Sequence, residues 1–306
     1  MKNIIIIVLV VGLLGLGFYA FTRKETSSEI IDNTDVPGEI IKTPVVETNG
    51  ESGTLTSKTE TIIGKSLEGR DIVAYHFGAG NKEVLFVSDS HGGYAWNTAL
   101  LANQVMEYFK TNPTEIASNL KVTVIPVLNP DGLFKVVGKE TAQFSPADVV
   151  ASKDIQVAGR FNANNVDINR NFDCQWQANG TWQNTPVSGG SRAFSEPESQ
   201  AVKSYVEAHP LAAVVAWYSA AGGVYASNCN TGVLPKTTLL TNVYAKASGY
   251  TPYESFDFYE TTGDMVNWFA KKGIPAISVL LTNHTDTEWA KNRAGIKALL
   301  DFVAIN

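Results

Sequence analysis

The segment from Asn162 to Cys174 reads Asn-Ala-Asn-Asn-Val-Asp-Ile-Asn-Arg-Asn-Phe-Asp-Cys. It contains five asparagines, two aspartates and one arginine, with Val166, Ile168 and Phe172 between them. A helix would contain fewer asparagines, and a strand would alternate β-branched residues. The pattern therefore predicts an irregular segment that nevertheless packs against the rest of its domain.

Arg170 stands between Asn169 and Asn171 in this segment. A guanidinium donates two parallel hydrogen bonds to a carboxylate, and a neighbouring amide can donate another. The arrangement therefore suits a carboxylate-binding site. The alternative is a solvated loop whose asparagines cap turns, and the segment by itself does not decide between the two.

The composition is that of a globular chain with an acidic excess. Its 306 residues allow one large domain or two small ones, and 44% of them are hydrophobic. The net charge of −6 argues against a nucleic-acid-binding surface. Residues 25–57 carry seven acidic side chains and one lysine, and they are rich in Thr, Ser, Pro and Gly. This range predicts a disordered acidic linker.

An apolar run of eighteen residues extends from Ile4 to Phe21, between Lys2 and the pair Arg23-Lys24. At ~1.5 Å per residue, a helix of this length just spans a bilayer core of roughly 30 Å. No small-x-small cleavage motif follows it, so residues 1–24 predict an uncleaved signal anchor rather than a removed signal peptide. Positive charges on both flanks leave the orientation open. We expect a single-pass protein whose domain lies outside the cytoplasm.

From residue 58 onward, strand patterns alternate with helix patterns, and several strands are wholly apolar. This order predicts an α/β domain whose sheet is covered on both faces. Strands are predicted at 71–77, 83–88, 121–128, 211–217, 224–227 and 274–281, and helices at 97–109, 196–208, 237–248, 263–272 and 287–303.

Two local signals mark the ends of elements. Ser195-Glu196-Pro197-Glu198 predicts a helix N-terminus with Ser195 as its cap. Asn129-Pro130-Asp131-Gly132 predicts a turn that ends the third strand.

The chain contains two cysteines, Cys174 and Cys229. Cysteines of a domain outside the cytoplasm can pair, whereas cytosolic cysteines usually stay reduced. We therefore expect a disulfide between them.

Several motifs occur in an order that resembles a known family. They are His91-Gly92-Gly93, Asn129-Pro130-Asp131-Gly132, Asn165 to Phe172, Phe194 to Glu198, Tyr259 to Asp264, and Gly273 to Ala276. Together they resemble the zinc metallocarboxypeptidases, the carboxypeptidase A-like or funnelin peptidases, in their bacterial branch. The resemblance covers residues 58–306. It implies an α/β/α sandwich with a mixed, twisted, about eight-stranded sheet and a site at the carboxyl ends of the strands.

The resemblance also implies residues that hold the substrate's terminal carboxylate. In such enzymes an Asn-Arg pair and a mobile tyrosine bind this group, and a further arginine polarises the scissile carbonyl. Asn169 and Arg170 match the pair, Tyr259 matches the tyrosine, and Arg160 matches the further arginine. Val266 falls where family members line the specificity pocket, and it offers no charge to a substrate side chain.

The residues for metal binding and catalysis are mostly replaced. The family holds zinc with a His and a Glu from one loop and a His from a later strand, and a late Glu is the general base. His91 matches the first ligand. The second falls at Tyr94 or Ala95, the third at Tyr218 and the base at Leu280. One imidazole does not hold zinc tightly, and leucine accepts no proton, so we expect neither stoichiometric zinc nor a catalytic base.

Few other side chains could replace the missing ligands. His76 and His209 fall in or beside strands and are interpreted as structural. His284 follows Leu280 and could turn inward, but we expect it to cap Asn283 or Thr285 in a loop. Asp89 lies two residues before His91, so a rearranged site of Asp89, His91 and Tyr218 is the alternative.

Three functions remain open from the sequence. The first is a membrane-anchored binding protein that holds peptide C-termini, for example those of cell-wall peptides, in a cleft that has lost its zinc site. The second is an active metallocarboxypeptidase with rearranged ligands. The third is a structural ectodomain that binds nothing in the cleft. The presence of Asn169, Arg170 and Tyr259 favours the first over the third, because a buried charge without a ligand is costly. An internal acid such as Asp167 or Asp264 is the alternative partner for Arg170.

Overall fold

The structure is a computed structural model and describes residues 59–306. The predicted anchor at residues 1–24 and nearly all of the predicted linker, residues 25–57, lie outside this range together with residue 58. Within the described range, no helix combines the length and apolarity needed to cross a membrane.

A mixed eight-stranded sheet forms the centre of the domain, in the order β1-β2-β4-β3-β7-β10-β8-β9. The neighbours β4, β3, β7 and β10 run parallel to one another. The antiparallel pairs are β1 with β2, β2 with β4, and β8 with β10. A separate hairpin consists of β5 and β6. The strands are β1 (Glu60–Lys65), β2 (Asp71–Phe77), β3 (Lys82–Val87), β4 (Leu120–Ile125), β5 (Asn179–Trp182), β6 (Thr185–Ser188), β7 (Leu211–Ser219), β8 (Gly223–Ala226), β9 (Pro252–Tyr253) and β10 (Ala276–Leu281).

Helices cover both faces of the sheet, as the sequence predicts. They are α1 (Trp96–Thr111), α2 (Pro130–Val137), α3 (Lys153–Ala158), α4 (Pro197–Ala208), α5 (Pro235–Ser248), α6 (Met265–Lys271) and α7 (Trp289–Ile305). Helices α1, α5 and α7 pack in one apolar cluster, and α4 and α6 pack in another.

The central strand β3 shows why its sequence is continuously apolar. Val84 and Phe86 point into the cluster of α1, α5 and α7, whereas Leu85 and Val87 point into the cluster of α4 and α6. All four side chains are at most 1% exposed. Because successive side chains of a strand face opposite sides, a sheet with two covered faces requires apolar residues at every position.

Two local predictions were wrong in detail. Asn129-Pro130-Asp131-Gly132 does not form a turn but begins α2, because the Asn129 side chain accepts from Gly132 N and Pro130 suits a first helical position. Ser195 does not cap α4. The N-cap is Glu196, whose backbone N–H donates to the side chain of Asn171 at 3.0 Å. The helix thus has no side-chain cap, and a side chain distant in sequence holds the backbone of its N-cap residue.

The predicted disulfide between Cys174 and Cys229 is confirmed, with a Cα–Cα distance of 5.9 Å. It joins the end of the asparagine-rich segment to the loop after β8. Both residues are at most 5% exposed.

Replacing both cysteines by serine should lower the free energy of unfolding by roughly 2–4 kcal/mol. The reason is that the bond closes a loop between positions 55 residues apart. Urea titration of the oxidised wild type and the variant measures the difference. Reduced wild type is the matched control and should resemble the variant, and equal stability of all three samples would contradict the prediction.

Candidate functional site

A cavity of about 770 Å³ opens at the carboxyl ends of β3, β7 and β10. These strands run parallel to one another, so they end at the same edge of the sheet. His91 follows β3, Tyr218 lies near the end of β7, and Leu280 near the end of β10, paired in register with Tyr218. All three side chains line the cavity.

The structure brings the remaining sequence-predicted site residues to the same cavity. Asn169, Arg170, Arg160, Tyr259 and Val266 all line it. They come from separate parts of the chain, and the hairpin β5–β6 and the loop before α6 complete the wall.

Arg170 is a buried cation, only 1% exposed. Its Nε and Nη2 donate to the carbonyl oxygen of Thr181 at 3.2 and 2.9 Å, and its Nη1 donates to the carbonyl oxygen of Asn169 at 2.8 Å. Within the described range it forms no ion pair with a carboxylate. A guanidinium has five N–H donors, so one N–H on each terminal nitrogen is left for a ligand.

The side chain of Asn169 is held mainly by the protein. Its Nδ2 donates to Asp264 Oδ2 at 2.8 Å, and its Oδ1 accepts from the Tyr218 hydroxyl and from Met265 N, each at 3.1 Å. Burial raises the pKa of Asp264, although the Asn267 backbone N–H and Arg170 oppose the shift. Asp264 thus forms hydrogen bonds with Asn169 and with the start of α6 rather than with Arg170.

Arg160 forms a buried ion pair with Asp167. Its Nε and Nη2 donate to Asp167 Oδ2 at 3.0 and 2.7 Å, and the two residues are 2% and 0% exposed. Burial by itself would raise the pKa of Asp167, but the charge of Arg160 outweighs it and holds that pKa well below its usual range. The indole of Trp182 covers the guanidinium at 4.4 Å.

The same guanidinium contacts His91. Arg160 Nη2 lies 3.0 Å from His91 Nε2, and His91 is 7% exposed. Burial, together with the positive charge of Arg160, lowers the pKa of His91 to about 4. The imidazole is therefore neutral at pH 7.

The sequence profile of the zinc carboxypeptidases matches residues 54–298, most of the chain. The chain belongs to the zinc carboxypeptidase family. A zinc carboxypeptidase from Simulium vittatum is 30% identical over 151 residues, 47% of each chain. Carboxypeptidase D from Rattus norvegicus is 29% identical over 162 residues, 49% of this chain and 10% of the relative. The chain thus spans about half of one relative's length and about a tenth of the other's.

Solved structures with the same fold include a carboxypeptidase and an amidase. Carboxypeptidase A from Helicoverpa armigera superimposes with a TM-score of 0.64 at 21% identity, covering 81% of this chain and 68% of the other. A murein-tripeptide amidase from Escherichia coli O157 gives 0.55 at 19% identity, covering 80% and 91%. The predicted carboxypeptidase-like sheet architecture is confirmed.

The resemblance places His91, Tyr94 or Ala95, and Tyr218 at the family's zinc positions. A catalytic zinc ion takes three protein ligands, and of these side chains only the imidazole of His91 is a common one. Leu280 is at the position predicted for the general base, and the Tyr218 hydroxyl donates to Asn169. In the described part of the chain, no three His, Cys, Asp or Glu side chains lie close enough to share a metal ion.

The two positions predicted for the family's glutamate ligand differ in their place in the structure. Tyr94 is half-buried and lines the cavity, whereas Ala95 is 1% exposed and does not line it. Asp89, the residue of the rearranged alternative, is fully buried and does not line the cavity either.

The prediction for His284 was wrong, because it turns inward and does not cap its neighbours. Its ring contacts Tyr94 edge-on at 4.5 Å between centroids, and its Nδ1 lies 3.2 Å from Ser219 Oγ. Asn283 instead caps this loop with its own side chain. Tyr94 also contacts Trp182 at 4.9 Å. Trp182 lies in a hairpin without a motif, so nothing in the sequence indicated its place in the site.

The other two histidines have the structural contacts that we expected. His76 lies in β2 between the hydroxyl groups of Thr61 and Thr123, each 3.0 Å away. His209 follows α4, and its Nδ1 donates to the carbonyl oxygen of Tyr205 at 2.7 Å. Neither lines the cavity.

The protein, purified without chelator and dialysed, should carry far less than one zinc ion per molecule, because the resemblance leaves His91 as the one family ligand of the predicted three. Elemental mass spectrometry measures the content. Stoichiometric zinc would contradict the prediction, and zinc that disappears in Asp89→Ala would identify the rearranged site.

Proposed function

We propose that this domain binds the free C-terminal carboxylate of peptides and does not hydrolyse them. The observation that carries the proposal is Arg170, a buried cation that lines the cavity without a carboxylate partner among the described residues. Its two remaining N–H groups sit on separate terminal nitrogens. In this arrangement the two N–H groups can donate to both oxygens of one carboxylate, in a bidentate manner.

The electrostatics of the cavity support an anionic ligand. A buried charge costs free energy unless it is paired. Arg160 is paired with Asp167, and Asp264 accepts a hydrogen bond from Asn169. Neither of these two buried acids is paired with Arg170. A ligand carboxylate would supply the missing counter-charge. Tyr259 lies beside the site, with its ring centroid 5.9 Å from the Arg170 guanidinium.

Two features of the cavity argue against peptide hydrolysis. Leu280, at the position of the family's general base, lines the cavity and cannot take a proton from water. The acids that line the wall are Asp264, whose oxygens accept from Asn169 and Asn267, and the exposed pair Asp257 and Glu260.

The setting of the domain forms part of the proposal. We propose that residues 1–24 anchor the chain in a membrane, that residues 25–57 form the linker, and that the domain lies outside the cytoplasm. The disulfide between Cys174 and Cys229 supports an oxidising compartment. Cell-wall peptides would be one source of free C-termini there, and a structure of the same fold is described as a murein-tripeptide amidase.

Arg170→Ala should weaken the binding of free-acid peptides by roughly 10- to 100-fold, since a charge-assisted hydrogen-bonded pair contributes ~1.5–3 kcal/mol. Wild type should bind free-acid peptides more tightly than the same peptides with an amidated C-terminus. Isothermal titration calorimetry with a peptide panel, including cell-wall peptides, measures both differences.

Arg293→Ala is the matched control, because it removes an exposed arginine that does not line the cavity. Its affinity should equal that of wild type. Equal affinity of wild type for acid and amide peptides would exclude the proposal and favour a structural ectodomain.

Peptides incubated with wild type and added zinc should be recovered intact by mass spectrometry, because neither a ligand set nor a base is present. Release of C-terminal residues that is abolished by a chelator would show an active metallocarboxypeptidase instead.

A further inference from the structure

Three neutral polar side chains come together in one part of the cavity wall. Asn267 lies in α6, Asn228 follows β8, and Ser278 lies in β10, which pairs with β8. All three line the cavity. Asn267 Oδ1 accepts from the backbone N–H of Asn228 at 2.9 Å, so the helix and the loop after β8 meet at these two residues. We call this group the amide pocket.

The amide pocket offers both a donor and an acceptor to the cavity. A backbone N–H can only donate, so the atom of Asn267 that faces Asn228 N must be the side-chain oxygen. The Nδ2 group of Asn267 is therefore left as a donor. Asn228 Oδ1 is buried and has no hydrogen-bond partner among the described residues. A buried acceptor of this kind is costly to leave unpaired.

The amide pocket shares a wall with the carboxylate site of Arg170. Asp264 Oδ2 accepts from Asn169 Nδ2 at 2.8 Å, and Asp264 Oδ1 accepts from Asn267 N at 3.0 Å. One carboxylate thus joins the residue beside Arg170 to the first turn of α6, in which each residue rises by ~1.5 Å. A peptide whose terminal carboxylate pairs with Arg170 can therefore extend the side chain of its last residue to the amide pocket.

We propose that the amide pocket selects peptides whose C-terminal residue carries a side-chain carboxamide, as glutamine and asparagine do. The inference rests on the proposed binding of the terminal carboxylate at Arg170. A carboxamide has an NH₂ group that can donate to Asn228 Oδ1 and an oxygen that can accept from Asn267 Nδ2. Both unpaired groups of the pocket gain a partner from one ligand group.

Other side chains satisfy the pocket less completely. An aliphatic side chain and a carboxylate have no donor, so Asn228 Oδ1 stays unpaired beside them. An ammonium group donates but cannot accept from Asn267 Nδ2. Its charge would also lose water, and the two oxygens of Asp264 already accept from Asn169 and from the start of α6.

The apolar neighbours of the pocket suit the methylene groups of such a side chain. Val266 and Leu280 line the same cavity and are 4% and 7% exposed. Ser278 and Leu280 lie two residues apart in β10, so their side chains face the same side of the sheet. Leucine at position 280 thus provides apolar surface beside the hydroxyl group of Ser278.

Four peptides that differ only in the C-terminal residue test the selection. Isothermal titration calorimetry with wild type and peptides ending in glutamine, methionine, glutamate or lysine measures it. The glutamine peptide should bind roughly tenfold more tightly than the methionine peptide, a difference of about 1.4 kcal/mol. It should also bind more tightly than the two charged peptides. Equal or tighter binding of the methionine peptide would overturn the proposal.

Asn228→Leu tests the assigned residue, because leucine has a similar size and no hydrogen-bonding group. Its affinities for the glutamine and methionine peptides should become equal. Its preference for free-acid over amidated peptides should persist and would show that the fold and the Arg170 site are intact. Asn184→Leu is the matched control, since Asn184 is an exposed asparagine in the turn between β5 and β6. It should keep the tenfold ratio.

The outcomes separate this inference from the proposed function. A tenfold ratio that persists in Asn228→Leu would overturn the assignment of the pocket. If Asn228→Leu does not fold, the wild-type comparison of glutamine and methionine decides by itself. Equal affinity for these two peptides, together with a preference for the free acid, would exclude only the inference. Equal affinity for the acid and amide forms of the glutamine peptide would exclude the proposed function and the inference with it.

Discussion

The site depends on the hydrogen bonding of a largely buried segment whose regular structure is limited to a single 3₁₀ turn, Ile168–Arg170. Buried backbone groups need partners, and in residues 162–174 the asparagine side chains supply many of them. Asn162 Oδ1 accepts from the backbone of Asn164 and Val166. Asn171 Oδ1 accepts from Glu196 N, and its Nδ2 donates to Gly189 O. Because the segment is held at several points, Asp167 and Arg170 have fixed positions although they lie at the two ends of one short 3₁₀ turn rather than in a long helix or a strand.

The two buried arginines differ in what surrounds them. Arg160 has both a carboxylate partner and an aromatic cover, so its charge is satisfied inside the protein. Among the described residues, Arg170 donates to neutral carbonyl oxygens and has no carboxylate partner. A buried charge without a counter-charge is costly, and this cost is the physical basis for proposing a ligand carboxylate at Arg170.

The sequence predicted the regular elements better than the site. Continuous apolar runs and helical spacing located the central strands and helices to within a few residues, because burial on both faces determines those residues directly. The cap of α4 was missed because its partner, Asn171, is distant in sequence. The inward turn of His284 and the stacking of Trp182 were missed for the same reason. Contacts made by the folded chain, rather than by neighbours in sequence, determine them.

The proposed absence of a zinc ion raises a structural question as well as a chemical one. In the structure, side chains connect the loop after β3 to the end of β7. Tyr94 lies between Trp182 and His284, at 4.9 and 4.5 Å, and His284 reaches Ser219 on β7. Aromatic pairs of this kind contribute about 0.5–1.5 kcal/mol each beyond the area they bury. Tyr94 therefore helps to hold the cavity walls together, whichever ligand the cavity binds.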